Sequence, residues 1–239
     1  MEISQTPWGL TPEGEAVVLY TLGDTAGAHV QLVNLGATLV AAVVPDRHGA
    51  LVDVVAESAP VAVNRVWDAR VEGNRVVFST SHFVSGSAAG FPAGSPSGVE
   101  VALEAAWHWS EEGELELVFS AVIESADVPV SLDFVPRTRF DLADGDRLLT
   151  VEGWQRNILG EAGVVVDPAR GIAMRVLTSL PEIVVRGRET LQNVTSVTPA
   201  TSVTYVTPPI VAGERYVQKI VWRFTTRRDG PPPLQPLQA

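Results

Sequence analysis

The sequence predicts an all-β protein of antiparallel strands arranged as a sandwich or barrel. Three observations predict it. Short apolar runs alternate with polar residues and recur at close, regular spacing; valine, isoleucine and threonine dominate these runs; and compact turns rich in glycine and proline separate them. No stretch has the periodicity of a long amphipathic helix.

The elements follow in order. Strands are predicted at Val17–Leu22, His29–Leu35, Thr38–Val44, Arg75–Ser79, Val99–Trp107 and Glu114–Ile123, then at Arg147–Val151, Ile172–Leu177, Glu182–Val185 and Tyr216–Phe224. Strict alternation in Glu114-Leu115-Glu116-Leu117-Val118-Phe119 predicts one wet face and one buried face. Turns are predicted at Pro12-Glu13-Gly14, Asp46-Arg47-His48-Gly49, Glu111-Glu112-Gly113 and Asp167-Pro168-Ala169-Arg170-Gly171. Ser85 to Ser97 reads as a long loop and Glu152 to Gly163 as an irregular stretch. Residues 1–226 form one expected domain, followed by a proline-rich tail, 227–239, read as disordered or polyproline-like.

Composition narrows the functional classes. The chain has 239 residues, enough to bury a large core, and 46% of them are hydrophobic. The net charge of −11 argues against a nucleic-acid partner, which needs a positive surface. There is no cysteine, so disulfides and thiolate chemistry are excluded. No apolar run reaches the roughly 20 residues of a membrane-spanning helix, and the first residues lack the pattern of a secretory signal. No membrane association and a cytoplasmic location are therefore expected. Lys219 is the sole lysine; its place in a strand makes a solvated face the expected role.

A run of motifs in order resembles the galactose mutarotase (aldose 1-epimerase) family. Val33-Asn34-Leu35-Gly36-Ala37-Thr38-Leu39 matches an "N-x-G-A-x-(I/L)" strand; Val44-Pro45-Asp46-Arg47-His48-Gly49 and Asp53-Val54-Val55 match the hairpin after it. Pro129-Val130-Ser131-Leu132 with Phe140-Asp141-Leu142, Asp167 to Gly171 with Pro181 to Val185, and Val211 to Tyr216 with Trp222-Arg223-Phe224 continue the match. The resemblance implies a galactose mutarotase-like antiparallel β-sandwich with a sugar site on the concave face of one sheet.

That family's chemistry pairs a glutamate base with a histidine acid, and holds the sugar with a second histidine and an arginine. The region for the arginine and one histidine reads here as a deletion after Glu57; Asn64-Arg65 is a faint echo, and a sugar-binding role for Arg65 is the alternative. Registering on Phe140 and Leu142 puts Arg137 where the other histidine belongs, with Arg139 and Asp141 at neighbouring pocket positions. Arginine holds its proton too tightly to be a general acid, but it binds carboxylates and oxyanions. The glutamate position aligns with Gln192, an amide that can only hydrogen-bond. A slipped register makes Glu189 the base instead, although strand parity opposes it.

Other candidates carry bland readings beside functional ones. Of the histidines, His29, His48 and His108 read as packed or solvated; His82, next to the long loop, is the best candidate acid, against a structural role. No pair has ligand spacing, so no metal is expected, and no cofactor is implied. Trp67, Trp107, Trp109 and Trp154 stack on a ligand or pack the core; Trp154, in the irregular stretch, is the strongest ligand candidate. Three functions follow. The chain is a binding protein whose Arg137, Arg139, Asp141, Gln192 and Trp154 hold a small organic ligand, a carbohydrate among the options. Alternatively it is a repurposed isomerase or cyclase of small-molecule biosynthesis, or a genuine aldose 1-epimerase using Glu189 or His82. The partner in each case is a small molecule.

Overall fold

A computed structural model describes residues 1–84, 99–124, 138–142, 147–150, 158–180, 182–186, 201–205 and 212–226. No helix occurs among them, and every strand pairing is antiparallel.

Three sheets share one core. The first runs in sequence order: β1 (Glu2–Leu10), β2 (Ala16–Gly23), β3 (His29–Val33), β4 (Thr38–Pro45) and β5 (Leu51–Asp53). Five short strands form a second sheet: β6 (Val55–Glu57), β11 (Arg139–Phe140), β12 (Arg147–Thr150), β15 (Glu182–Arg186) and β16 (Thr201–Tyr205), in the order β12-β15-β16-β11-β6. The third has seven strands: β7 (Asp68–Glu72), β8 (Arg75–Val84), β9 (Val99–Trp109), β10 (Glu114–Ile123), β13 (Gly160–Asp167), β14 (Ile172–Thr178) and β17 (Arg215–Thr226), in the order β13-β14-β17-β10-β9-β8-β7.

Alternation decides which side of the large sheet is dry. In β9, Val101, Leu103, Ala105, Trp107 and Trp109 point inward, while Glu104 and His108 point out. In β10, Leu115, Leu117 and Phe119 are buried between half-exposed Glu114, Glu116 and Val118, as the sequence predicted. On the inner face of this sheet, Trp107 of β9 stacks on Trp222 of β17 at 5.9 Å and 14°, over β10. Phe140, the buried residue of β11, packs at 6.2 Å from Trp222 and 6.1 Å from Phe224, joining the second sheet to the third. The Trp107 indole donates to the Ala37 carbonyl at 3.1 Å, which joins the first sheet to the third. Trp67, Trp107 and Trp109 are each 1% exposed or less, so the core reading is right for these three and stacking on a ligand is excluded.

The Asn34-Leu35-Gly36-Ala37 segment has a physical explanation. Where β3 leaves β2, the Asn34 Oδ1 accepts the Val18 N–H at 2.8 Å, replacing a lost ladder bond. Gly36 then takes φ 69° and Ala37 φ 53°, turning the chain so that the Gly36 N–H reaches the Arg65 carbonyl at 2.8 Å. A Cβ on Gly36 would lie 2.4 Å from the Pro60 Cβ.

Three sequence readings are corrected. β1 gives no alternating signal because almost all of it is exposed on both faces. The supposedly irregular stretch Glu152 to Gly163 ends inside a strand: β13 starts at Gly160, and a bulge between Glu161 and Gly163 disguises its period. His29–Leu35 is also shorter than expected, because Asn34 ends the ladder and β3 stops at Val33.

Candidate ligand site

β11 lies between β16 and β6. Its Phe140 is drawn into the core, which leaves Arg139 and Asp141 flanking it on the backbone, each part-exposed and each facing an opposite charge. The Arg139 Nη1 lies 2.7 Å from the Glu57 carboxylate across the β11–β6 pair. The β11–β6 register slips on the β6 side: Arg139 pairs with Glu57 and Phe140 with Val55, so Ala56 is the bulged residue, while β11 itself runs regularly against β16. Asp141 is anchored elsewhere: its N–H donates to the Val54 carbonyl at 2.8 Å, and its carboxylate accepts from the Arg170 Nη1 at 3.0 Å.

Arg170 comes from the β13–β14 turn. Asp167 shapes that turn by accepting the Ala169 and Arg170 N–H groups at 2.9 and 3.1 Å, and its second oxygen accepts the Arg170 Nε at 2.5 Å. Burial opposes ionisation of Asp167, but the bonds from Arg170 outweigh it and hold the carboxyl below its usual value. Arg170 thus bridges Asp167 and Asp141, tying β11 to the large sheet. Neither Arg170 nor Glu57 stood out in the sequence; the only signal for Arg170 was its place in the Asp-Pro-x-x-Gly turn.

His82 stands at the end of β8, half-buried. Its Nδ1 is buried with no hydrogen-bond partner. Burial, and then the positive charge of Arg65, push its pKa below 6.5, so the ring is neutral at physiological pH. Arg65 is fixed nearby by donating to the Ser81 carbonyl at 2.9 Å. His108 has a different setting. It sits directly opposite Glu116 on the outer face of the large sheet and bonds Asn74 at 2.8 Å. The same face carries a ladder of ion pairs, in which Glu116 bonds Lys219 at 2.6 Å and Arg75 at 3.3 Å, so both of its oxygens are engaged. Burial lowers the His108 pKa first, with Glu116 acting against it. Lys219 is thus part of a charge ladder.

Arg137, Gln192, Trp154 and Glu189 lie outside the described residues, as do the loop 85–97 and the tail 227–239. Among the described residues, no three histidines, aspartates or glutamates converge as a metal site. Among the described residues there is no helix long and apolar enough to cross a membrane.

No family model and no curated protein matches the sequence. Solved structures do match the fold. A GalM/aldose epimerase homologue from C. elegans superposes with a TM-score of 0.59 at 13% identity, covering 86% of this chain and 98% of that one. Galactose 1-epimerase from Lactobacillus acidophilus gives 0.59 at 12% identity, covering 94% and 99%. A putative aldose 1-epimerase from Escherichia coli K12 gives 0.56 at 11% identity, covering 88% and 100%. The fold is that of the aldose 1-epimerases. At such low identity the likeness fixes the mutarotase-like sandwich and leaves the chemistry to the residues themselves.

Proposed function

We propose that this chain is a mutarotase-fold protein that binds a small hydroxylated organic molecule beside β11 and does not perform mutarotation. One observation carries the reading: His82, the described imidazole nearest the expected role, faces a guanidinium and not a carboxylate. Mutarotation needs an acid that gives a proton to the ring oxygen while a base takes one from the anomeric hydroxyl. A half-buried imidazole whose pKa is lowered, first by burial and then by Arg65, is poorly suited to donate a proton at neutral pH. The sequence adds to this, since Arg137 and Gln192 occupy the aligned acid and base positions and can bind but not shuttle protons. His108, an imidazole that does sit beside a carboxylate, adjoins a Glu116 whose oxygens are both occupied by cations. In this reading Arg139, with Glu57 as counter-charge, offers guanidinium donors to ligand oxygens.

The test is anomer exchange by NMR with glucose and galactose, together with saturation-transfer NMR for binding. The expected result is exchange at the buffer rate, with binding of a hydroxylated ligand. Exchange clearly faster than buffer would overturn the proposal.

A further inference from the structure

A groove of about 680 Å³ runs along the outer side of the first sheet, away from β11. Its floor is apolar: Val17 and Val33 are buried there in a small cluster of their own, with Leu35 packed against it. One wall is the β1–β2 hairpin, with Trp8, Leu10, Glu13 and Glu15; the other is Asn64 and Arg65. That size falls in the usual range of roughly 300–1,000 Å³ for small-ligand clefts.

Three features make this more than a surface crease. First, Trp8 is 58% exposed while lining the groove, whereas Trp67, Trp107, Trp109 and Trp222 are buried almost completely. Second, Trp8 is the extra residue of a β-bulge: Pro7 pairs with Val18 and Gly9 with Val17, and nothing pairs with Trp8. Bulges re-aim side chains, and here the re-aimed side chain is the indole. Third, the rim groups are unspent. Glu13, Glu15 and Asn64 make no side-chain hydrogen bond or ion pair among the described residues, and the Arg65 guanidinium makes a single one, to Ser81. The hairpin presenting the two glutamates is itself fixed, by Thr11 bonding the Glu15 N–H at 3.2 Å through its hydroxyl and the Glu15 carbonyl at 2.9 Å through its own N–H.

We infer that this groove is a glycan-binding site that seats a neutral pyranose ring of a glycoside, with the apolar face of the ring on Trp8. The chemistry matches on both sides. A pyranose has one face of C–H bonds, suited to an indole and an aliphatic floor, and a rim of hydroxyls that both donate and accept. Carboxylates accept, a guanidinium donates, and an amide does both. The mixed-sign rim, two carboxylates against one guanidinium, disfavours phosphates and other polyanions. The inference is independent of the pocket proposed above, whose described residues are Arg139 and Asp141.

The experiment uses the full chain, methyl β-D-glucopyranoside and cellohexaose as neutral probes, and tetramethylammonium as a cationic control. Binding is read by saturation-transfer NMR on the wild type and on Trp8→Ala, Trp8→Phe and Arg139→Ala, with near-UV circular dichroism to verify folding. Saturable glycoside binding, weakened about tenfold or more in Trp8→Ala and largely kept in Trp8→Phe, is expected. Since Trp8 is exposed, Trp8→Ala should fold; Leu10→Ser, in the same wall, gives a second, weaker reduction if it does not. Absence of glycoside binding overturns the inference. So does stronger binding of tetramethylammonium, which would make the indole and carboxylates a cation site. Binding abolished by Arg139→Ala but untouched by Trp8→Ala also overturns it, while leaving the β11 proposal standing.

Discussion

Arg65 holds its guanidinium against the end of β8 and there adds to the burial that keeps the His82 imidazole uncharged. The orphaned His82 Nδ1 and the adjacent cation act in the same direction. Because the folded pKa lies below 6.5, the unfolded chain takes up the proton first. The contribution of neutral His82 to stability is therefore complete above pH 6.5 and is lost as the pH falls through the depressed folded value. Replacing Arg65 with glutamine should raise the His82 pKa, though not fully to its ordinary value, since burial remains the larger cause. Imidazole resonances followed by heteronuclear NMR across the acid range read this directly. An unchanged His82 titration in Arg65→Gln would show that the two side chains do not communicate.

Gly36→Ala should be among the most damaging single-methyl changes in this protein. The added Cβ meets Pro60 at 2.4 Å in a backbone conformation, φ 69°, that L-residues avoid. The conformation alone costs about 1–3 kcal/mol, and the collision adds to it. The Gly36 N–H also ties Arg65 in place, so the variant should loosen the Arg65 side of the Trp8 groove. Urea denaturation measures the first effect. A midpoint equal to wild type would mean that Pro60 yields freely.

The Arg170 bridge predicts a pH-dependent cost. Asp167 is only 6% exposed at its side chain and ionised below its usual pKa of 3.8, burial opposing the charge and Arg170 more than compensating. Its stabilisation is present above pH 3.8 and lost as the pH falls through the lower folded value. Arg170→Gln removes the compensating charge and leaves the carboxylate buried, at a cost of roughly 3 kcal/mol near neutral pH. Below pH 3 the difference from wild type should shrink, because the variant's Asp167 is then protonated at little expense. Thermal denaturation from pH 2 to 7 tests this; a gap that does not narrow toward acid would assign the loss to packing instead.

How much of this could be read from the chain differs by element. Strands that are dry on one side and wet on the other, such as β9 and β10, announce themselves by alternation, and the predicted bounds of β10 match the structure residue for residue. β1 is wet on both sides and β13 is bulged near its start, so neither has a period to read. Order of motifs pointed to the sandwich, because turn chemistry survives where sequence identity does not: Asp46 and Asp167 each cap their own turns through side-chain oxygens. The site was less legible. Arg139 was singled out by register, but its counter-ion Glu57 lies 82 residues earlier and meets it only through the β6–β11 pairing. The Trp8 bulge left no trace at all, since an exposed and a buried tryptophan look alike in one dimension.

Arg139 offers the sharpest separation between architecture and binding. Its pair with Glu57 is exposed, 41% and 62% at the two side chains, and exposed pairs contribute about 1 kcal/mol at most. Arg139→Ala should therefore shift the urea midpoint little. If Arg139 exists to meet a ligand, the same change should cost tenfold or more in affinity at the β11 pocket, because a guanidinium presents donors in a planar fork that no small side chain reproduces. Lysine at this position should recover only part of the affinity, since it keeps the charge without the fork. The decisive comparison is calorimetric titration of wild type, Arg139→Ala and Arg139→Lys against a ligand already shown to bind. A strongly destabilised Arg139→Ala with undiminished affinity per folded molecule would reverse the assignment and make Arg139 a strut of the β6–β11 pair.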